Sequence, residues 1–427
     1  MTTGTRNAAV RVAVLGAGIR GMEHGERIRS SGGVVTAVAE PDEGRRRRLA
    51  AEHSLPQEAC FADWRDLARH PDLCDAVLIT TQDADHADPC VTFAGLGKHI
   101  LCEKPMAPDE ADAVRMVEAV ERAGVVFAVV HPLRYMPYTD VVRGWVRDGR
   151  IGRIVNVQHL EPVGAWHFAH SFVRGNWRRE DESSSMLMAK CCHDLDWLSY
   201  VVGSQPAQVA SFGRLTHFRP ENRPQGAADR CLDCAVEADC PFSAPRLYLS
   251  CLGNPGREHW PLGAVTATPT EPAVREALAT GPYGRCVYAC DNDVADHQVV
   301  ALDYADGATA THTVTAFTEM SHRQTRIFGT HGSIETDGRH VTLHDFRAHP
   351  ATTVERVDTS DTTAAGHADG DSAAVTAFLT AVSTGDTTPI RSGPRESLLS
   401  HQAVWAAESA RRTGTTVRLA GTTVTPA

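Results

Sequence analysis

The glycine-rich segment at residues 12–21, VAVLGAGIRG, constrains the fold more than any other part of the sequence. An apolar run leads directly into Gly16, Gly18 and Gly21, and the residues after them can form a helix. Gly16 permits a tight turn, Gly18 leaves room for a pyrophosphate, and Gly21 lets the helix pack closely on the strand. This setting of the G-x-G-x-x-G spacing predicts a strand, a turn and a helix that bind a dinucleotide.

An acidic residue follows at the position that such a turn requires. The apolar run at residues 34–39 is typical of a buried parallel strand, and Glu40 comes directly after it. A carboxylate there can accept hydrogen bonds from a ribose 2′-hydroxyl and would repel a 2′-phosphate, which favours NAD over NADP. The basic run at residues 45–48 is the one indication for NADP, and a solvent-exposed helix face explains it as well.

Length and charge narrow the class of protein further. The chain has 427 residues, more than one hydrophobic core usually supports, so we expect two domains. Its net charge of −11 argues against a nucleic-acid or anionic membrane surface and favours a small-molecule partner. We find no apolar run long enough to span a membrane and no signal-peptide core near the N-terminus, which predicts a soluble, cytoplasmic protein with reduced cysteines.

Apolar strands and helices continue to alternate up to residue 130. The run at residues 76–79 ends in Thr80 and Thr81, and the run at residues 99–101 leads into Glu103 and Lys104. This alternation predicts a doubly wound parallel sheet, that is, an N-terminal Rossmann dinucleotide-binding domain over residues 1–130. A lysine at the end of a central strand is, by itself, more often structural than catalytic.

Together these motifs resemble the glucose-fructose oxidoreductase, inositol dehydrogenase and rhizopine-catabolism (Gfo/Idh/MocA) family. The resemblance rests on the glycine turn, the acid after the second strand, the T-x-x-x-x-x-H segment that ends at His86, and GKHILCEKP at residues 97–105. The segments RIFGTHGSIETDG and SHQAVWAAESARRTG nearer the C-terminus are also similar. The resemblance implies that Lys104 lies beside the nicotinamide and the reacting hydroxyl. The residues expected to bind the cofactor are Gly16, Gly18, Ile19, Arg20, Gly21, Glu40, Thr80, Thr81, His86, Glu103 and Lys104.

Residues 131–427 are expected to form a second α/β domain with a large open, mainly antiparallel sheet. A strand pattern begins at Ile154, and the sequence predicts consecutive antiparallel strands at residues 299–304, 308–316, 325–328 and 333–336. Helices at residues 373–382 and from Pro394 to Arg412 are expected to pack back on the first domain. Family members commonly form dimers or tetramers through the open sheet, so the resemblance implies a homodimer or homotetramer here.

A second group of candidate residues lies at residues 171–203. The polar segment before residue 186 predicts a loop over the cleft, where Trp177 can stack on a sugar, although an ordinary surface loop explains it equally well. The helix that follows has one apolar stripe, at Leu187, Cys191, Leu195, Leu198 and Val202. Lys190, His193, Asp194 and Trp197 fall on another face, which in most helices is simply exposed to solvent.

The resemblance gives that second face a function. Family members carry an H-x-x-D pair that faces the nicotinamide, and His193 and Asp196 match it. Many members also place an aspartate four residues before the histidine, where this chain has Ala189. We expect His193 to accept the proton, because its ordinary pKa of about 6.5 suits this step. The candidate catalytic residues are Lys104, Lys190 and His193, and the candidate substrate contacts are Arg134, Tyr135, Trp177 and Asp194.

These features predict an oxidoreductase that transfers a hydride between a secondary alcohol of a sugar, cyclitol or related polyol and NAD(P). Lys104 would orient the hydroxyl while His193 accepts its proton. A redox-neutral enzyme that oxidises its substrate only transiently, eliminates a glycosidic substituent and returns the hydride stays open. A non-catalytic dinucleotide-binding regulator stays open too, although it would need neither side chain.

Residues 215–296 have the composition of an insertion, rich in proline, glycine and cysteine. Cys231, Cys234, Cys240 and Cys286 have a spacing that suits a tetrahedral structural zinc, although free reduced cysteines explain them equally well. Such a zinc would hold together a long loop that cannot bury a core of its own.

Overall fold

The computed structural model of the protein describes residues 9–348, 352–359 and 368–419. Two β-sheets organise these residues, one of six strands and one of nine. The strands of the first sheet are β1 (Arg11–Leu15), β2 (Val34–Ala39), β3 (Cys60–Phe61), β4 (Ala76–Ile79), β5 (His99–Cys102) and β6 (Phe127–Val129). Those of the second are β7 (Ile154–Pro162), β8 (Pro206–Arg214), β9 (His297–Tyr304), β10 (Thr309–Thr315), β11 (Gln324–Gly329), β12 (Gly332–Thr336), β13 (His340–Asp345), β14 (Thr352–Asp358) and β15 (Val417–Arg418).

The α-helices of the described residues connect and cover these sheets. They are α1 (Ile19–Ser30), α2 (Glu43–Glu52), α3 (Trp64–Leu67), α4 (Ala87–Gly95), α5 (Glu110–Ala123), α6 (Pro137–Arg147), α7 (Ala165–Phe168), α8 (Met186–Val202), α9 (Ala244–Leu249), α10 (Pro255–His259), α11 (Glu271–Thr280), α12 (Ala368–Thr384) and α13 (Pro394–Thr413). None of them is both long and apolar enough to cross a membrane.

The first sheet is parallel, with strand order β3-β2-β1-β4-β5-β6. Its central strands are apolar and buried on both faces, as a sheet covered by helices on both sides requires. The chain order reverses between β1 and β4, which is the crevice where such sheets bind ligands. The predicted Rossmann fold is confirmed.

The second sheet is mixed but mainly antiparallel, with order β14-β13-β12-β11-β7-β10-β9-β8-β15. The prediction of one consecutive antiparallel run was wrong at one place, because β7 lies between β10 and β11 and pairs in parallel with β10. The segment between β10 and β11 passes over the end of β7. One hydrogen bond shows this contact, because Ala165, just after β7, donates its N–H to the carbonyl oxygen of Thr318 in that segment at 3.0 Å. This crossing brings the residue before β11, Arg323, to the end of β7.

Helix α8 packs on the inner face of this sheet and is buried on almost all sides. The predicted apolar stripe is present, with Val202 only half-buried. The polar face, which in most helices would be exposed to solvent, is turned inward here, since His193, Asp194 and Trp197 are all buried. The reason is that the polar side of α8 faces β7, whose inward residues include His159 and Glu161. A buried polar face needs partners, and the site described below supplies them.

The insertion between β8 and β9 contains α9, α10 and α11. It buries a small core of its own, against the expectation that it could not. Tyr248, Val274 and Leu278 are among its buried residues. Helix α10 also contacts α1, one of the helices that cover the first sheet. His259 Nε2 lies 3.0 Å from Glu23 Oε1 on that helix.

The last two helices contact elements of the first sheet's layer. Trp405 on α13 donates its indole N–H to the Pro108 carbonyl oxygen at 2.7 Å, and His401 Nε2 accepts the Met106 N–H at 2.8 Å. Asp371 on α12 pairs with Arg20 on α1 at 2.9 Å. These contacts connect the C-terminal helices to the E-K-P turn and the glycine turn.

Candidate active site

The glycine turn has the shape that a dinucleotide requires. Gly16 has φ of +92°, and a Cβ there would lie 2.6 Å from the Thr80 carbonyl oxygen. A Cβ at Gly21 would lie 2.0 Å from the Gly16 carbonyl oxygen, so both positions exclude a side chain. At Gly18 no heavy atom lies within 4 Å of the position that a Cβ would take. The backbone is therefore open at the one glycine that a pyrophosphate would approach.

The groups around this opening also suit the cofactor. Helix α1 starts after Gly18 with no side-chain cap, so the N–H groups of its first turn, which includes Ile19 and Arg20, can bind an anion. Glu40 Oε2 accepts the Ala17 N–H at 2.7 Å, and Oε1 accepts the Asp42 N–H at 2.9 Å. Each carboxylate oxygen can accept a further hydrogen bond, as from a ribose hydroxyl.

Arg20 and Glu103 form a partly buried ionic network next to the glycine turn. Arg20 Nε donates to Glu103 Oε1 at 2.7 Å, and His24 Nε2 lies 2.7 Å from the same oxygen. Burial alone would raise the pKa of Glu103, but the charge of Arg20 outweighs it and holds that pKa well below its ordinary value. Glu103 Oε2 accepts the Lys104 N–H at 2.9 Å, so the network fixes the E-K-P turn. Direct contact of Arg20 and Glu103 with a cofactor stays a prediction.

Thr80, Thr81 and His86 are all bonded to the backbone of neighbouring turns. Thr80 Oγ1 donates to the Gly16 carbonyl oxygen at 2.7 Å, and Thr81 Oγ1 donates to the Asp85 carbonyl oxygen at 3.1 Å. The fully buried His86 ring lies 2.9 Å from the Pro105 carbonyl oxygen and 3.3 Å from that of Thr81. These side chains hold the edge of the sheet in shape, whether or not they touch a cofactor.

Lys104 connects this edge to helix α8. Its Nζ donates to the Ala189 carbonyl oxygen at 2.5 Å. Within the described residues no carboxylate oxygen lies within 4 Å of Nζ, and an ammonium has three donors, so two remain for a ligand. His193 follows Ala189 by four residues and therefore lies one turn further along the same helix face.

His193 lies among charged groups and is only 2% exposed. Its Nε2 is 2.7 Å from Arg323 Nη2 and 3.3 Å from Asp194 Oδ2. A guanidinium can only donate, so Nε2 accepts from Arg323. Burial, which Arg323 and Lys104 reinforce and Asp194 opposes, lowers the pKa of His193 to about 3. The expected pKa near 6.5 is therefore corrected for the ligand-free protein.

The sequence analysis did not identify Glu161 and Arg323 as part of the site. Glu161 Oε1 lies 3.2 Å from Lys190 Nζ, and Oε2 lies 2.6 Å from Arg323 Nε. Arg323 Nε also donates to Asp194 Oδ1 at 2.8 Å. The signal for Glu161 was present, because a carboxylate occupies an inward position of the alternating strand β7. Nothing local marked Arg323, which reaches the site only through the crossing over β7.

Three of the four predicted substrate contacts are buried and bonded to other protein groups. Arg134 donates to both oxygens of Asp196, at 2.7 and 2.6 Å. The Tyr135 hydroxyl accepts the Arg391 N–H at 2.7 Å. Asp194 is fully buried between His159 Nε2, 3.0 Å away, and Arg323. These side chains are already held by protein partners, and so is Asp196, the matched aspartate of the H-x-x-D pair, and their contact with a substrate stays a prediction.

Trp177 contacts the connection after β4, in the first domain. The sequence predicted it in a loop over the cleft between the two domains. Its indole N–H donates to Asp83 Oδ2 at 3.3 Å, and Ser183 Oγ donates to the same oxygen at 3.4 Å. Burial raises the pKa of Asp83. The adjacent Asn176 donates to Gln82 at 3.1 Å, so the loop is attached to the connection after β4. Stacking of Trp177 on a sugar stays a prediction.

The four cysteines proposed as zinc ligands line one small cavity. Among the described residues, however, no group of three or more His, Cys, Asp or Glu side chains is placed to hold a metal ion. The zinc prediction is therefore not supported.

The parallel sheet with its dinucleotide turn, followed by a mixed sheet on which α8 packs, defines a two-sheet protein of the dinucleotide-binding class. The chain belongs to the Gfo/Idh/MocA family. Residues 10–131 match its "Oxidoreductase family, NAD-binding Rossmann fold" and residues 143–419 match its "Oxidoreductase family, C-terminal alpha/beta domain". The resemblance identified from the motifs is confirmed.

Individual relatives agree with this assignment. The chain is 30% identical over 205 residues to inositol 2-dehydrogenase of Corynebacterium glutamicum (strain R), covering 47% of this chain and 56% of that protein. It is 31% identical over 149 residues to 2,7-anhydro-N-acetylneuraminate hydratase of Escherichia coli (strain K12), covering 35% and 39%. The solved levoglucosan dehydrogenase in complex with NADH and levoglucosan has a TM-score of 0.71 at 17% identity, covering 96% of this chain and 99% of that one, and so shares its fold.

Proposed function

We propose that the protein transfers a hydride between a secondary alcohol of a sugar, cyclitol or related polyol and NAD. The observation that carries this proposal is the 2.5 Å hydrogen bond from Lys104 Nζ to the Ala189 carbonyl oxygen. It joins the edge of the parallel sheet to the helix whose next turn carries His193. Alcohol oxidation needs one group to orient the hydroxyl and another to accept its proton, and Lys104 and His193 would be these two groups.

The cofactor would be held by groups that the glycine turn already presents. The open backbone at Gly18 and the first N–H groups of α1 would bind the pyrophosphate, and Glu40 would bind the adenosine ribose. When bound, NAD supplies the hydride acceptor. Because Glu40 is a carboxylate, NAD should bind more tightly than NADP. Calorimetric titration with both cofactors tests this, and tighter binding of NADP would contradict it.

In the proton transfer, His193 would act through Nε2. A substrate hydroxyl that replaces Arg323 Nη2 would donate its hydrogen bond to that nitrogen, while Arg323 keeps its ion pairs with Asp194 and Glu161. Asp194 Oδ2, 3.3 Å from Nε2, would stabilise the imidazolium that forms. Lys104 would donate to the hydroxyl oxygen. Lys190, which pairs with Glu161 at 3.2 Å, would be a further polar contact to the substrate.

The names of relatives support the substrate class and leave a second candidate. An inositol dehydrogenase among the relatives and a levoglucosan dehydrogenase among the structural neighbours favour a polyol or sugar. The relative named as a hydratase favours a redox-neutral reaction, in which the hydride returns to the substrate. A regulator without catalysis has no need for the Lys104 and His193 arrangement.

A screen of polyols, sugars and aminosugars for NADH formation at 340 nm tests the proposal. A dehydrogenase accumulates NADH in proportion to product. The redox-neutral enzyme forms no net NADH but exchanges substrate C–H hydrogen with deuterium from the solvent. Tight NAD binding with neither signal across the panel would contradict both and favour the regulator.

A further inference from the structure

The crevice between β1 and β4 has two walls, and later parts of the chain are attached to both of them. One wall is the glycine turn with α1, and the other is the connection after β4. On the first wall, Glu23 is contacted by His259 of the insertion, whose Nε2 lies 3.0 Å from Glu23 Oε1. On the second wall, Asp83 accepts the indole N–H of Trp177 at 3.3 Å. The crevice is therefore attached on both sides to the chain that follows the first sheet.

A row of aromatic rings connects these two attachments. Trp260 follows His259 directly, and its ring centre lies 4.8 Å from that of His167. The ring centres of His167 and Phe172 are 6.5 Å apart, and those of Phe172 and Trp177 are 6.2 Å apart. Such spacings are those of packed aromatic pairs, so the four rings form one continuous unit. We call Trp260, His167, Phe172 and Trp177 the aromatic bridge.

The aromatic bridge runs between the two ends of the crevice. At one end, burial lowers the pKa of His167 well below its ordinary value, and the nearby charge of Lys190 lowers it further. At the other end, Tyr283 of the insertion stacks on His170, with ring centres 4.8 Å apart. Burial raises the pKa of Tyr283, and the charge of Arg45 at the start of α2 opposes this effect. Packed rings therefore extend from the candidate catalytic groups to the helix that follows β2.

The place that a pyrophosphate would take stays open between the walls. No heavy atom lies within 4 Å of the position that a Cβ at Gly18 would occupy. A dinucleotide bound there would have both walls attached around it, and it could leave only if one attachment opened. We propose that the aromatic bridge retains NAD in the crevice, and that the contact between His259 and Glu23 is a latch that opens for cofactor exchange. This inference rests on the proposed binding of NAD.

The two attachments differ in a way that favours opening at His259. The side chain of His259 is 42% exposed and that of Glu23 is 24% exposed, so water can replace their contact at little cost. Asp83, at the other attachment, is only 8% exposed and also accepts a hydrogen bond from Ser183. Glu23 is held on its other side by Arg20 at 2.8 Å. His259 is therefore the side of the latch that moves.

The test measures NADH exchange in the full-length protein and needs no substrate. Stopped-flow fluorescence gives the association rate constant from mixing with NADH, and the release rate constant from displacing bound NADH with excess NAD. His259→Ala should raise both rate constants about fivefold, because the latch must open for entry and for exit, and Kd should change by less than about twofold. His259→Gln keeps a donor for Glu23 and should match the wild type. His340→Ala is the matched control, since it removes a similar contact with Asp337, at 2.9 Å, from the second sheet.

A second variant tests the aromatic bridge itself. Trp260→Ala, with the circular dichroism of the wild type, should also raise both rate constants, because it interrupts the row of rings. Unchanged rate constants in His259→Ala would overturn the proposal. Faster release with unchanged association would overturn it too, since that is the result of losing a direct contact with the cofactor. A wild-type protein that binds no NADH would instead refute the proposed NAD binding, and the latch with it.

Discussion

Single residues show clearly what the sequence could and could not predict. The glycine positions were predictable because backbone geometry alone dictates them, as the close approaches at Gly16 and Gly21 show. The partners of buried charges were not predictable, because they come from distant parts of the chain. Arg134 was expected at the substrate, and its guanidinium in fact bonds both oxygens of Asp196.

The Arg134 and Asp196 pair gives a stability prediction. Asp196→Asn should lower the free energy of unfolding by about 3–5 kcal/mol, because it leaves Arg134 buried with no counter-charge. Urea denaturation measures this change. Asp140→Asn is the control, since Asp140 pairs with Arg391 at an exposed position and its loss should cost at most about 1 kcal/mol. Equal effects of the two variants would refute the assignment.

The same pair predicts a pH dependence of stability. Burial alone would raise the pKa of Asp196, but Arg134 outweighs it and the pKa falls from 3.8 to about 2. Because the folded pKa is the lower one, the contribution is complete above about pH 4 and is lost as the pH falls towards 2. In the Asp196→Asn variant this part of the acid-induced loss should be absent.

At the scale of elements, periodicity predicted where strands and helices lie better than how they are arranged. Helix α8 was predicted with its apolar stripe, but the partners of its polar face, Glu161 and Arg323, were not, because one sequence does not show what lies opposite a helix. In the same way, the strands β9 to β12 were predicted close to their observed bounds. The position of β7 between β10 and β11 in the sheet was not predicted. Such pairing depends on a long-range crossing that leaves no local pattern.

The side-chain cap at the N-terminus of α8 gives a prediction about the stability of this helix. Ser185 Oγ accepts the Met188 N–H at 3.2 Å, so Ser185→Ala should lower the free energy of unfolding by about 1 kcal/mol. Thr270→Ala is the matched control, because Thr270 stands at the N-cap of α11 without a side-chain cap bond. Its effect should be near zero in the same denaturation experiment. If Ser185→Ala is no more destabilising than the control, the cap does not stabilise α8.

At the scale of the whole molecule, the family and both sheets were predictable, because several independent motifs agreed. The division near residue 130 and the assembly state stay proposals. The outer face of the second sheet supports assembly, since Phe212 is 69% exposed and pairs across the strands with Val299, which is 41% exposed. Exposed apolar rows of this kind often mark contacts between subunits.

This outer face gives a prediction for the assembly. Phe212→Asp should convert a dimer or tetramer to smaller species, because it places a charge in the apolar row. Sedimentation velocity at micromolar protein measures the change. Leu96→Asp, at an exposed position beside the first sheet, should leave the sedimentation coefficient unchanged. A wild-type protein that already sediments as a monomer would rule out the proposed assembly.

The central claim is that His193 accepts the proton while the glycine turn holds NAD, and a comparison of turnover with NAD affinity tests it most directly. With a substrate from the NADH screen, His193→Asn should lower kcat by about a hundredfold or more and leave the Kd for NAD unchanged. His331→Asn, at an exposed turn, should match the wild type in both. A His193→Asn variant with wild-type kcat would contradict the account.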